Sequence, residues 1–118
     1  MAKSKQAKAR EFSAKDREKI KKRDGGCIFC KMGYHPSPEA GYLLSIMHYI
    51  PRSKNGLGIP ENGAVGCQYH HTLMDNGNQG LREEMLEIFR EHLQKHYPGW
   101  DEKKLTYSKW SFLEGGIG

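Results

Sequence analysis

All three cysteines of this chain fall in two short knuckles, and that arrangement constrains its fold more than any other feature. Cys27-Ile28-Phe29-Cys30 supplies one pair of metal-ligand type, and Cys67-Gln68-Tyr69-His70 supplies another. Zinc favours thiolate and imidazole donors in a tetrahedron, and a two-residue spacer lets both ligands of a turn grip one ion. The sequence therefore predicts a structural Zn²⁺ held by Cys27, Cys30, Cys67 and His70. The knuckles are 36 residues apart, so the intervening chain becomes a loop threaded between them. The alternative is three unrelated buried cysteines, a common fate for free thiols. A single CxxC also arises by chance or in redox use, but two knuckles that consume every cysteine argue for the ion.

An odd number of thiols cannot all pair as disulfides. No N-terminal apolar run resembles a signal peptide or a membrane span, so reduced thiols in a cytoplasmic setting are expected. The 118 residues favour one domain, with 36% hydrophobic residues and a mean hydropathy of −0.81. Apolar burial is thin at that composition, and small domains of this kind commonly add a metal.

Charge is distributed unevenly. Residues 1–23 hold ten Lys/Arg against three Asp/Glu, and the remainder holds nine against eleven. The net +5 thus comes from the N-terminal part, which points to a polyanion such as DNA. A solvated tail is the other reading for the first ten residues. Residues 1–12 read as a basic flexible arm with 1–11 frayed, 13–112 as the domain, and 113–118 as a flexible tail.

Ser13 and Asp16 form a capping-box pattern that opens a basic helix to about Arg23, and Asp24-Gly25-Gly26 ends it. Residues 31–41, with Gly33, Pro36, Pro38 and Gly41, read as loop. Tyr42 to Ile50 is apolar and β-prone, Pro51 stops it, and 52–63 is a long irregular connection. Ala64-Val65-Gly66 can form a second strand. A helix from about Cys67 to Asp75 follows, halted by Asn76-Gly77. Leu81, Met85, Ile88, Phe89 and Leu93 recur in steps of three and four, the stripe of an amphipathic helix from Leu81 to about Tyr97. The fold class is α+β, with a strand–loop–strand–helix core between flanking helices.

The stretch from Arg23-Asp24-Gly25-Gly26-Cys27 through Met47-His48-Tyr49-Ile50-Pro51-Arg52-Ser53, Asn62 and His71 resembles the HNH endonuclease family in order and spacing, over about residues 13–76. The resemblance implies a ββα-metal fold and metal-dependent hydrolysis of DNA phosphodiesters. His48 would be the general base, since a neutral imidazole suits that work near neutral pH. Asn62 would fix the loop between the strands and orient the His48 ring by a hydrogen bond. His71 would bind a catalytic divalent cation such as Mg²⁺ or Mn²⁺. Small free-standing proteins of this kind occur in phages and mobile elements, which points to the cytoplasm of a bacterial or phage-infected cell. Cutting both strands with one small site would be easier for a dimer.

One position departs from the family pattern. Where the family usually has an Asp or His ligand before the base, this chain has Met47, which cannot bind a hard cation. Asp75, four residues after His71, could supply the carboxylate; alternatively it opens the Asp75-Asn76-Gly77 turn. Lys15, Arg17, Lys19, Lys21, Lys22 and Arg23 are the phosphate-contact candidates, and Arg52 a further one. His92 and His96 could share a metal, although a structural role is the commoner outcome, and His35 sits in a loop. Trp100, Tyr107 and Trp110 could stack on bases or pack over the domain. The competing reading is a non-catalytic, zinc-stabilised DNA-binding module. A redox or metal-storage protein would leave Asn62, His71 and the basic arm unexplained.

Overall fold

The computed structural model describes residues 5–35, 43–76 and 80–107, and these form an α+β fold around a two-stranded sheet. Tyr42, Gly77, Trp110 and Phe112 lie outside those residues, as do Pro36, Pro38, Gly41, residues 1–4 and the tail 113–118.

Helix α1 spans Lys5–Ala9, where a frayed stretch through residue 11 is expected. The segment is held to the body: Ala9 O accepts from Gly58 N–H at 2.9 Å, and Phe12 is buried. Helix α2, Ala14–Asp24, begins where the capping pattern places it, with the Asp16 N–H donating to Ser13 Oγ at 3.1 Å. Lys21, Lys22 and Arg23 in its last turn complement the helix dipole, and Gly25 takes the left-handed conformation (φ 65°) that ends it. Helix α3, Ile28–Lys31, is the single turn carrying Cys30.

Strands β1, Leu44–His48, and β2, Gly63–Cys67, pair antiparallel from Leu44↔Cys67 to His48↔Gly63. Two short 3₁₀ turns, Arg52–Lys54 and Pro60–Asn62, punctuate the connection read as irregular. Helix α4, Gln68–Asn76, follows β2 directly, and α5, Arg82–His96, is the long amphipathic helix. A last 3₁₀ turn covers Glu102–Leu105.

All five residues of β2 are buried because both faces are covered. Phe12 and Ile20 pack with Val65 and Ile46 on one face. Met47 and Ala64 of the other face join the larger cluster, with Cys67, Phe29, Met74 and the α5 stripe Met85, Phe89 and Leu93. Gly66 makes room for Met47: a Cβ there would lie 2.4 Å from the Met47 sulfur. Trp100 joins this cluster edge-on to Tyr49 at 5.6 Å and donates its indole N–H to Glu61 O at 2.7 Å. It is packing, as the commoner reading of that aromatic group had it.

A buried polar hub ties α2 to everything else. Asp24 Oδ1 accepts from Arg23 Nε at 2.6 Å and His92 Nε2 at 2.7 Å, and Oδ2 accepts from Val65 N at 2.8 Å and Arg23 Nη2 at 3.0 Å. Arg23 also donates from Nη1 to Pro60 O and Tyr97 Oη, and from Nη2 to Gly63 O. Those contacts occupy all the N–H groups of a guanidinium. Arg23 therefore leaves the set of phosphate contacts, since its side chain is only 9% exposed and fully used inside. His92 is a structural histidine, with the ring of His96 edge-on to it at 4.7 Å.

Burial alone would raise the Asp24 pKa, but the hydrogen bonds from His92, Arg23 and the Val65 amide override it and hold the carboxyl at about 2. A carboxylate depressed in the folded state adds stability above its ordinary value of 3.8, and that stability is lost as pH falls toward 2. The contribution is about 2 kcal/mol. Asp24→Asn should cost more, about 3 kcal/mol, because it strands a buried guanidinium without its counter-charge. Urea unfolding at neutral pH measures this; a loss below about 1 kcal/mol would show that the hub is not a principal support.

Candidate metal centre and the adjoining groove

Cys27 caps the short α3 helix, its Sγ accepting from Cys30 N–H at 3.4 Å. Cys67 ends β2, and His70 lies in the first turn of α4. The three sulfurs and one ring nitrogen lie within 4.8 Å of one another. Cys30 Sγ is 3.6 Å from Cys67 Sγ, and His70 Nδ1 is 3.7, 3.5 and 3.1 Å from the Cys27, Cys30 and Cys67 sulfurs. A zinc tetrahedron with Zn–S of about 2.3 Å and Zn–N of about 2.0 Å has edges of about 3.8 Å between sulfurs and about 3.5 Å between sulfur and nitrogen. The four separations fall within about 0.4 Å of these edges. His70 Nε2 lies 2.6 Å from Tyr34 O and 3.0 Å from His35 O. Carbonyls only accept, so Nε2 carries the hydrogen and Nδ1 is left bare toward the sulfurs, as ligating histidines require. These four residues are positioned to hold a metal ion, and the donor set is consistent with a structural zinc. His35, a weak candidate, contributes here through its backbone carbonyl.

The neighbouring residue faces elsewhere. Consecutive side chains on a helix diverge by about 100°, and His71 points into an open groove of about 320 Å³. His48, Arg52, Ser53, Met47, Asp75 and Arg82 also line that groove. His71 Nε2 is 2.9 Å from Asp75 Oδ2, one helical turn away, and its Nδ1 is 3.3 Å from Ser45 Oγ. Among the described residues, the Cys₃His set is the one group of three or more His, Cys, Asp or Glu side chains close enough to share an ion. His71 and Asp75 stand as a pair. Met47 is 1% exposed and belongs to the core.

His48, the last residue of β1, is half-buried. Its Nε2 lies 2.8 Å from Arg10 O, so the neutral ring holds its hydrogen there and keeps Nδ1 as the lone pair. Burial lowers the pKa of His48; the Arg10 carbonyl opposes that, and the charges of Arg52 and Arg17 add to it. Comparison of the chain with protein-family models, curated proteins and solved structures gives no match.

Asn62 holds the loop but does not touch the His48 ring. Its Oδ1 accepts from Ile50 N at 2.8 Å, and Nδ2 donates to Leu57 O at 2.8 Å and Ile50 O at 3.2 Å. Both amide hydrogens are spent on carbonyls, so the expected bond to His48 has no donor left. Arg10 O takes that place, a partner that no sequence motif marks. The one clue was Phe12, an isolated aromatic in a charged arm, whose ring lies 4.4 Å from that of His48.

Lys15, Arg17, Lys19, Lys21 and Lys22 are exposed on α2, with Lys21 3.7 Å from Glu18. Arg52, 53% exposed, sits at the groove with Glu11 3.7 Å away. Among the described residues no helix is long and apolar enough to cross a membrane.

The metal centre makes a prediction about stability. Purified protein should contain about one equivalent of zinc, and Cys27→Ser should lose it and unfold far more easily, because much of a structural ion's binding energy is folding energy. His48→Ala should melt close to the parent. Elemental analysis finding little zinc alongside three titratable thiols in folded protein would exclude the site.

Proposed function

We propose that this chain is a metal-dependent DNA endonuclease with an HNH-type ββα-metal core, clamped by zinc at Cys27, Cys30, Cys67 and His70. The observation that carries the reading is one groove lined by a histidine whose Nδ1 is left as a lone pair and by the His71–Asp75 pair. His48 acts as the base: Nδ1 takes a proton from a water as that water's oxygen bonds to phosphorus and the scissile P–O bond breaks. A divalent cation at His71 and Asp75 would polarise the phosphate and stabilise the leaving oxygen. Two protein ligands with the rest from water and phosphate is how Mg²⁺ is commonly held. Asn62 keeps the loop after His48 closed, and Arg52 together with the exposed cations of α2 would meet the DNA backbone without choosing sequence.

A second reading, a zinc-stabilised DNA-binding module without hydrolysis, is favoured by one observation: the apolar, buried Met47 before the base.

A supercoiled plasmid incubated with the protein in Mg²⁺, Mn²⁺ or EDTA separates the two. Nicking should require the metal and fall about 10²- to 10⁴-fold in His48→Ala. Metal-dependent nicking that survives His48→Ala would refute the mechanism, and tight DNA binding with no nicking would favour the module.

The pH profile should carry the mark of the depressed His48 pKa. The base form then persists below 6.5, the ordinary histidine value, so the acid limb of kcat/KM should lie below that pH. Arg52→Gln removes a cation that disfavours the imidazolium, so it should move the limb to higher pH. A limb at or above 6.5 in the parent would count against His48 as base.

A further inference from the structure

The segment Ala9–Phe12 crosses the His48 end of the sheet and is fastened at several points. Ala9 O accepts from Gly58 N–H at 2.9 Å, Arg10 Nη1 donates to Arg52 O at 3.0 Å, and Glu11 lies 3.7 Å from the Arg52 guanidinium. Phe12 is 7% exposed, and its ring is tilted 42° to that of His48. Two glycines make the room. A Cβ on Gly58 would lie 2.2 Å from the Glu11 carbonyl carbon. A Cβ on Gly63, the register partner of His48, would lie 2.6 Å from the Phe12 ring. Neither glycine has the left-handed backbone that would otherwise explain it, so close approach of this segment is the reason for both.

We propose that Ala9–Phe12 is a positioning strap for His48. The Arg10 carbonyl fixes the hydrogen on Nε2, Phe12 fixes the plane of the ring, and Nδ1 is thereby aimed at the groove. The strap would touch neither phosphate nor cation and acts only through the imidazole. Its consequence for hydrolysis rests on the nuclease reading; its effect on the ring rests on the contacts alone. The basic arm therefore has a second task beside meeting a polyanion: it completes the site from outside the zinc-tied loop.

The test is proton and ¹⁵N NMR of the full chain with histidine ring nitrogens labelled, at neutral pH. In the parent, His48 should show a resolved Nε2–H proton that exchanges slowly with water and lies close to the Phe12 ring, with a bare Nδ1. Gly58→Ala wedges the strap away and should lose that proton to fast exchange while zinc content and the α5 signals stay unchanged. If Gly58→Ala loses zinc, Phe12→Ala replaces it with the same expectation. In the plasmid assay the strap variant should lower kcat about 10- to 100-fold with little change in KM. A parent with hydrogen on Nδ1, or a protected Nε2–H that survives displacement of the strap, overturns the proposal. A protected proton in a parent that never nicks DNA supports the strap and defeats the nuclease reading instead.

Discussion

Three sulfurs and a ring nitrogen gathered within 4.8 Å are the constraint on which the rest of the molecule depends. Deprotonated thiols at that distance repel, and a divalent ion there would turn the repulsion into a junction. Through it the α3 turn, the end of β2 and the start of α4 would be fixed to one another. The α5 stripe then has a surface to pack on, and the sheet has its second cover. The size of the apolar core, confined largely to Phe29, Met47, Met74, Met85, Phe89 and Leu93, is what makes such a junction necessary.

The polar hub ties α2 to β2 and α5, as the four-donor centre would tie α3, β2 and α4. Asp24 and Arg23 are adjacent in sequence, yet between them they reach β2, α5, Pro60 and Tyr97. Alternation then assigns work to adjacent residues. His70 faces the sulfurs and His71 the groove; Met47 fills the core and His48 lines the groove. One face in each pair stabilises, and the other is left open to water.

What the sequence disclosed, and what it did not, divides by range. The Cys₃His set, the Ser13 cap and the α5 stripe are local patterns, governed by ligand spacing, by an N-cap bonding three residues on, and by a 3.6-residue period. The two strands are legible from β-prone runs beside Pro51 and the glycines but not their ends: 42–50 and 64–66 are expected, and Leu44–His48 and Gly63–Cys67 are found. Arg23 looks like a phosphate contact in a basic run, but its side chain is decided by Pro60, Gly63 and Tyr97, 37 to 74 residues away, and carries no local mark of that fate. Asn62 was half right. Its loop-closing role follows from its place in a turn-rich stretch, but how its amide hydrogens are shared depends on where Ile50 and Leu57 carbonyls arrive. Composition predicts a frayed arm, and a backbone carbonyl such as that of Arg10 leaves no trace in a composition.

The 36 residues between Cys30 and Cys67 include His48, Arg52 and Asn62. An ion at the four donors makes this stretch a tether anchored at both ends, worth about 3 kcal/mol in closure entropy. Inside a tether, a segment can detach and return without searching for its place, because its effective local concentration never falls to that of a free chain. For the hairpin that presents His48, buried all along β2, an ion there would thus shorten the search that returns it to the core after a local opening. A small domain with a thin apolar core would in this way gain a quick recovery of its sheet.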